Sequence, residues 1–402
     1  MFGRKKPPEP APWRSRVGAV HTLADNHDLT PAQHARCVEW VHRIQQLYDG
    51  AAAYCSQQGV DPELAFAGNE WRDLVPRTGL KFRTAYPDIN YLRLNAPFAG
   101  YHLPILDRLD SRRFPDDWGA AFVTRLGQEG IPGDIAAELD RRYAARDRLS
   151  PLVPDYLDHV RNLPARYVVR TPRVLGEIGI EVDGVLVNAD VILCQSRINA
   201  MLSGGVIDKL ERDMARHGRA RVLEVGSGYG SLGNALKAIL GDRLEYIALD
   251  LPSSLYYAAL YLGAINDWQR SHLLLPGETV PEAFDFLFIA NYMMDEVAGQ
   301  IGPVDLAVNC MSFPEMSAAQ VRNYGTFFRR VLRGDGVVFD ENAALKPHHT
   351  DSKAILAELF PFRRHVSSTV VTTKNDCQDV WASRYLGDIF DRSDAMLLRP
   401  SS

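Results

Sequence analysis

The chain has 402 residues, 46% of them hydrophobic, and a formal net charge of −5. That length and apolar share allow a sizeable core and two domains of ordinary size, while a mildly acidic balance, relieved only by the basic run Arg4, Lys5 and Lys6, speaks against a non-specific nucleic-acid binder. No apolar stretch reaches the ~20 residues that span a bilayer and no signal-peptide shape opens at Met1, so a cytoplasmic protein is expected.

Residues 1–28, rich in proline at the start, read as a disordered tail. Thr30-Pro31-Ala32-Gln33 predicts a capped helix start, and Cys37, Trp40, Val41, Ile44, Leu47 and Tyr48 follow at helical spacing. The stretch 64–164 is dense in aromatics, Arg and Asp and broken by Pro104, Pro115, Pro132, Pro151 and Pro154, which predicts short helices and loops. Residues 29–189 therefore read as a mostly helical accessory or substrate region. It ends in a hairpin over 180–187, where Asp183-Gly184 separates alternating apolar positions.

From about residue 190 strands and helices alternate, the pattern of a parallel sheet covered by helices. Strands are expected at 222–225, 246–249, Phe286–Ala290, 306–310 and 337–340, closed by a β-hairpin from 366–373 and 380–385. Between the last two parallel strands, Ser317 and Gln320 form a capping box, Val321, Tyr324, Phe328 and Val331 line one face, and Gly334 is the stop; a further helix is expected at 353–359. The five cysteines, Cys37, Cys55, Cys194, Cys310 and Cys377, are scattered with no C-x-x-C pair, so neither a disulfide framework nor a zinc site is expected.

The segment R-V-L-E-V-G-S-G-Y-G-S-L-G, from Arg221 to Gly233, followed by E-Y-I-A-L-D ending at Asp250, has the form of a ligand-binding βαβ unit. Two cofactors compete for it. Gly228, Gly230 and Gly233 satisfy the G-x-G-x-x-G pattern of dinucleotide enzymes, with an acid the expected ~20 residues on. Glu224, two residues before Gly226, argues the other way, because a pyrophosphate at a helix N-terminus wants amide donors and no nearby anion. A carboxylate there suits a cationic ligand such as S-adenosylmethionine, which carries an ammonium and a sulfonium. The blander reading is a glycine turn without a ligand.

The E-x-G-x-G-x-G turn with an acid closing the next strand resembles motif I of class I methyltransferases. V-D-L-A-V-N-C-M-S-F-P-E-M at 304–316, D-L-P at 250–252, G-E-I-G at 176–179 and S-R-I-N at 196–199 make 170–340 similar to the sugar O-methyltransferase family; the region before Pro164 lies outside the likeness. The resemblance implies an α/β fold, a Rossmann-like class I methyltransferase sheet in a domain over 190–402 preceded by the mostly helical accessory region, with S-adenosyl-L-methionine as cofactor. It implies that Asp250, followed by Leu251, takes the ribose hydroxyls, and that Gly226, Ser227, Gly228, Tyr229 and Gly230 lie against the methionine part. Tyr229 would cover the methionine or guard the substrate entrance. The expected partner is a small-molecule or saccharide substrate, with no nucleic acid and no membrane, and a homo-oligomer is left open.

In an open α/β sheet the carboxyl ends of the strands face the ligand crevice, so Asn309, Ser312 and Glu315 should gather there, with Asn309 toward the cofactor. Asn291, ending the third strand, is a candidate acceptor for the adenine amine. Arg197 would fork onto the methionine carboxylate, with Glu177 and Ser312 toward substrate; alternatively Arg197 and Glu177 form a structural ion pair. Deprotonating a hydroxyl requires a base, for which Glu315 is the first choice, with His348 and His349 as further candidates. Asp340, Glu341 and Asp351 could hold a cation, yet nothing in their spacing demands one, and no metal is expected. Trp71, Tyr91, Phe98 and Tyr101 could stack on sugar rings or simply belong to the core. Two other functions compete: an NAD(P)-dependent oxidoreductase, although no Lys stands four residues after any Tyr, and a non-catalytic partner protein of the same fold.

Overall fold

The computed structural model describes residues 16–21, 23–66, 82–94, 131, 152–266, 268–343, 350–374 and 380–392. The expected tail reaches too far, because Val17–His21 forms strand β1, antiparallel to β2 (Gly179–Val182). V-G-A-V-H is too short a run to announce itself, and β2 supplies the ladder that fixes it. β2 and β3 (Val185–Val187) form the expected hairpin, turning at Asp183 and Gly184 with φ of 50° and 76°, the pair of positive angles that a tight two-residue turn demands.

Helix α1 (Pro31–Gln58) starts at Thr30 with the expected capping box and ends at Gly59 in the left-handed region. It buries Cys37, Trp40, Val41, Ile44 and Leu47, whereas Tyr48 stays 46% exposed, one step round the helix from the buried stripe. Short helices α2 (Pro62–Ala65), α3 (Tyr86–Asn90) and α4 (Leu152–Val160) follow α1 in the accessory region. α5 (Ala189–Ser203) and α6 (Val206–His217) then lead into the sheet.

The main sheet contains β4 (Ala220–Val225), β5 (Leu244–Asp250), β6 (Ser271–Leu273), β7 (Phe286–Ala290), β8 (Val304–Cys310), β9 (Leu332–Ala343), β10 (Phe362–Lys374) and β11 (Val380–Asp391), in the order β10-β11-β9-β8-β4-β5-β7-β6. Six of these strands are parallel and the last two close the sheet as an antiparallel hairpin against β9. The one beyond the expected five is β6, whose three residues S-H-L carry too little pattern to be read as a strand. After β4 the chain steps to β5, β6 and β7 on one side and then crosses to β8 on the other. The switch point of this Rossmann-like sheet therefore lies at β4.

Between the strands run α7 (Ser231–Leu240), α8 (Pro252–Ile265), α9 (Met294–Val297), α10 (Ala318–Val331) and α11 (Ser352–Leu359). α10 has the predicted capping box and apolar face but ends at Val331, three residues before Gly334, because Leu332 already turns into β9. α8 is buried nearly all round, since α1 packs along it on the side away from the strands. Trp40 of α1 meets Trp268 and Phe288 edge-on, joining the accessory region to the strands through one apolar core. Among the described residues no helix is long and apolar enough to cross a membrane.

Candidate functional site

Gly226, Gly228 and Gly230 take φ of 77°, 57° and 90°, a conformation that L side chains enter only at a cost, so the turn after β4 needs its glycines. A Cβ at Gly226 would overlap the Ser312 hydroxyl. Asn309, at the end of β8, donates to Val225 O at 2.9 Å and to Ser312 Oγ at 2.5 Å, while its Oδ1 accepts from Phe313 N and from Asn342 Nδ2. Asn309 and Ser312 therefore form a bracket behind the glycine turn. Asn309, 0% exposed and bonded through both amide atoms, is not turned to the cofactor as expected, and the partly buried Ser312, expected to face substrate, has its hydroxyl directed at Val225 O and Asn309.

Asp250 closes β5 beside this turn. Its Oδ1 accepts from Leu251 N at 2.8 Å and its Oδ2 stands 3.5 Å from Ser227 Oγ. Burial pushes the carboxyl up to about 7, against the pull of donors from Leu251, Ser227, Ser254 and Gly228. A buried carboxyl thus stands at the crevice end of β5, held by donors from the glycine turn and from the start of α8. Glu224 is likewise buried and pushed up to about 7; Tyr246 donates to it, and the Arg197 charge pulls the other way. Asn291 follows β7 at the same end of the sheet. Its Nδ2 donates to Ala65 O at 2.9 Å and Tyr324 OH at 3.2 Å, leaving buried Oδ1 with no partner among the described residues. That orphan acceptor is what an amine ligand would need.

The ion-pair alternative for Arg197 and Glu177 is overturned. Arg197 Nε donates to Glu341 Oε1 at 3.0 Å, whereas Glu177 accepts from Arg93 at 3.0 Å and from Asn188. Glu177 is 0% exposed with both carboxylate oxygens engaged, so it does not face a substrate. Arg93 also bonds Asp190 and lies 3.3 Å above the Tyr229 ring. Tyr229 in turn meets Tyr261 edge-on and is 6% exposed, which places it inside the protein rather than at an entrance. A lone Arg among aromatics gives no sequence signal for such a role.

The cation reading of Asp340, Glu341 and Asp351 dissolves as well. Asp340 pairs with Lys353 at 2.9 Å, Glu341 pairs with Arg197, and Asp351 caps α11 through Ala354 N. No cluster of three metal-ligating side chains occurs among the described residues. Glu315 sits partly buried in the turn after β8, two residues before Ser317 caps α10. His348 and His349, as well as Trp71, Phe98, Tyr101 and Cys377, lie outside the described residues; Tyr91 packs its backbone against Gly176. Burial raises the Cys310 thiol well above its ordinary value and pushes Cys194 up to about 12, so neither is poised as a nucleophile. A cavity of about 410 Å³ between α1 and β6 is remote from this chemistry, and its Arg36 and Arg43 are already answered by Glu39 and Glu278.

No family model matches the chain, and no curated relative does. Among solved structures it is similar to precorrin-6y C5,15-methyltransferase from Geobacter metallireducens (11% identity over 47% of this chain and 87% of that one, TM-score 0.31). Fibrillarin from Aeropyrum pernix, in complex with natively bound S-adenosyl-L-methionine, is 15% identical over 48% of this chain and 75% of its own, at a TM-score of 0.30. The O-methyltransferase TomG from Streptomyces achromogenes, also in complex with S-adenosylmethionine, is 16% identical over 48% and 79%, again at 0.30. Likeness at this level says nothing of what the present chain binds.

Proposed function

We propose that the protein is an S-adenosylmethionine-dependent O-methyltransferase acting on a hydroxyl of a sugar or a glycosylated metabolite. The observation that carries the cofactor is the buried Asp250 carboxyl at the crevice end of β5, set against a turn built on three positive-φ glycines. The residues fit the group: Asp250 sets a carboxyl beside the turn where ribose hydroxyls would lie, Asn291 Oδ1 is an orphan acceptor for an amine, and Glu224 adds a second buried acid beneath the turn. The choice of a hydroxyl on a sugar rests on the motif likeness alone.

When bound, the cofactor supplies an electrophilic methyl carbon. The chain's own part is to align an acceptor hydroxyl with it and to remove the proton. Glu315, in the turn that follows β8 at the crevice end of the sheet, is the residue to which this reading assigns that proton. Glu315→Gln is expected to lower methyl transfer about 10²- to 10⁴-fold without weakening cofactor binding. Transfer of labelled methyl to a panel of sugars, alongside calorimetry, checks both halves; unchanged turnover would remove Glu315 from the mechanism.

One observation favours the dinucleotide reading. A Cβ at Gly233 would come 2.8 Å from the Tyr246 ring, the close helix–strand packing that the third glycine of that fingerprint serves. Calorimetric titration with S-adenosylhomocysteine, NADH and NADPH, repeated on Asp250→Ala, separates the two. Binding of the homocysteine compound alone, lost in the variant, is the expected result; binding of a nicotinamide nucleotide alone would replace the methyltransferase with an oxidoreductase. Binding of none would leave a scaffold protein.

A further inference from the structure

Neighbouring residues of a strand point to opposite faces of the sheet, and at the end of β9 this separates two acids with different tasks. Asp340 points to the face where Lys353 of α11 receives it, and Lys353 also binds Asp388 at 2.5 Å. Glu341 points to the other face, toward Arg197 of α5. Arg197 uses its Nε for Glu341 Oε1, and its two Nη groups make no hydrogen bond to a described residue. Glu341 is 1% exposed, and its Oε2 is buried with no partner among the described residues.

The same guanidinium lies within electrostatic reach of Glu224 below the glycine turn. One Arg therefore stands between two buried carboxylates, with Asp250 adding a third charge close to Glu224. Lys353 also pulls on Glu341, but it is bonded to Asp340 and to Asp388, and Arg363 shares the latter. A buried site with surplus negative charge, an orphan carboxylate oxygen and an unengaged guanidinium edge is complementary to a zwitterion whose ammonium and carboxylate lie side by side. Both halves of that complement, the acceptor and the fork, belong to this chain.

We propose that Glu341 recognises the ammonium group of the cofactor's amino-acid end through Oε2, while Arg197, held in place by Oε1, presents its Nη groups to the adjacent carboxylate. This rests on the S-adenosylmethionine reading of the crevice and extends it to a strand two places from the glycine turn. Glu341 thereby gives the site its preference for a complete amino-acid tail.

The test compares three ligands by calorimetry: S-adenosylhomocysteine, its analogue lacking only the amino group, and 5′-methylthioadenosine, which lacks the whole amino-acid end. On the wild-type protein, removing the amino group is expected to weaken binding at least tenfold. Glu341→Gln should weaken S-adenosylhomocysteine about tenfold or more and leave 5′-methylthioadenosine unchanged, so the gap between the ligands narrows. Equal binding of the first two ligands by the wild type overturns the proposal even if the variant does not fold. So does a variant that loses all three ligands in parallel while keeping its thermal midpoint. If the wild type bound none of them, the cofactor reading itself would fall, which is a separate outcome.

Discussion

Gly226 shows how much one residue decides in this site. It combines a φ of 77° with a Ser312 hydroxyl lying where a Cβ would go. Gly226→Ala is expected to destabilise the protein by about 1–3 kcal/mol, from the left-handed backbone and from displacing Ser312, and to weaken S-adenosylhomocysteine binding more than tenfold. Urea midpoints and calorimetry measure the two effects. Combining it with Ser312→Gly removes the clash but not the strain, so the pair should recover part of the stability, and strict additivity would mean that Ser312 does not bracket the turn. The glycines themselves are plain in the sequence. Ser312 was legible only as a polar residue near a strand end, and the partner of its hydroxyl follows from a contact spanning 87 positions.

At the level of elements, the short 3-10 segment Leu92–Leu94 matters more than its length suggests, because Arg93 ties it to Glu177, to Asp190 at the start of α5 and to the Tyr229 ring. Arg93→Met leaves two buried carboxylates without their cation and is expected to cost about 3–5 kcal/mol, read as a fall in thermal midpoint. Because the guanidinium lies against a glycine-loop residue, ligand binding at a temperature where the variant is still folded should weaken too. Full stability in the variant would show that the three groups do not act as a unit. The elements that were legible, α1, α10 and the β2–β3 hairpin, are those whose ends are written in local chemistry: Thr30 with Gln33, Ser317 with Gln320, and Asp183-Gly184. β1 and β6 were not, since strands of five and three residues exist only through the partner that pairs with them.

For the whole molecule, two buried acids couple ligand binding to pH. Burial raises Asp250 and Glu224 to about 7 from ordinary values of 3.8 and 4.5, so the folded protein holds protons that the unfolded chain releases. The stability those protons confer is complete below the ordinary values and is lost as pH rises through about 7. The thermal midpoint of the ligand-free protein, relative to Asp250→Asn, should therefore decline between pH 5 and pH 8. Binding runs the other way: a cationic ligand that also wants ionised carboxylates should bind about tenfold more tightly at pH 8 than at pH 6. A flat affinity profile across that range would mean that neither acid changes charge on binding.

The sequence alone determined the parallel sheet, the glycine turn after β4 and the acid ending β5, because periodicity, capping and turn chemistry are local and act over a few residues. Only the tertiary structure decided which polar groups remain for a ligand. Asn309, Ser312 and Glu177 read as site residues yet are consumed by their neighbours, while Glu341, which the sequence offered only as a cation ligand, keeps an unmatched oxygen beside Arg197. The reason is physical: a buried donor or acceptor must find a partner, and which partner it finds is set by residues that only folding brings within 3 Å.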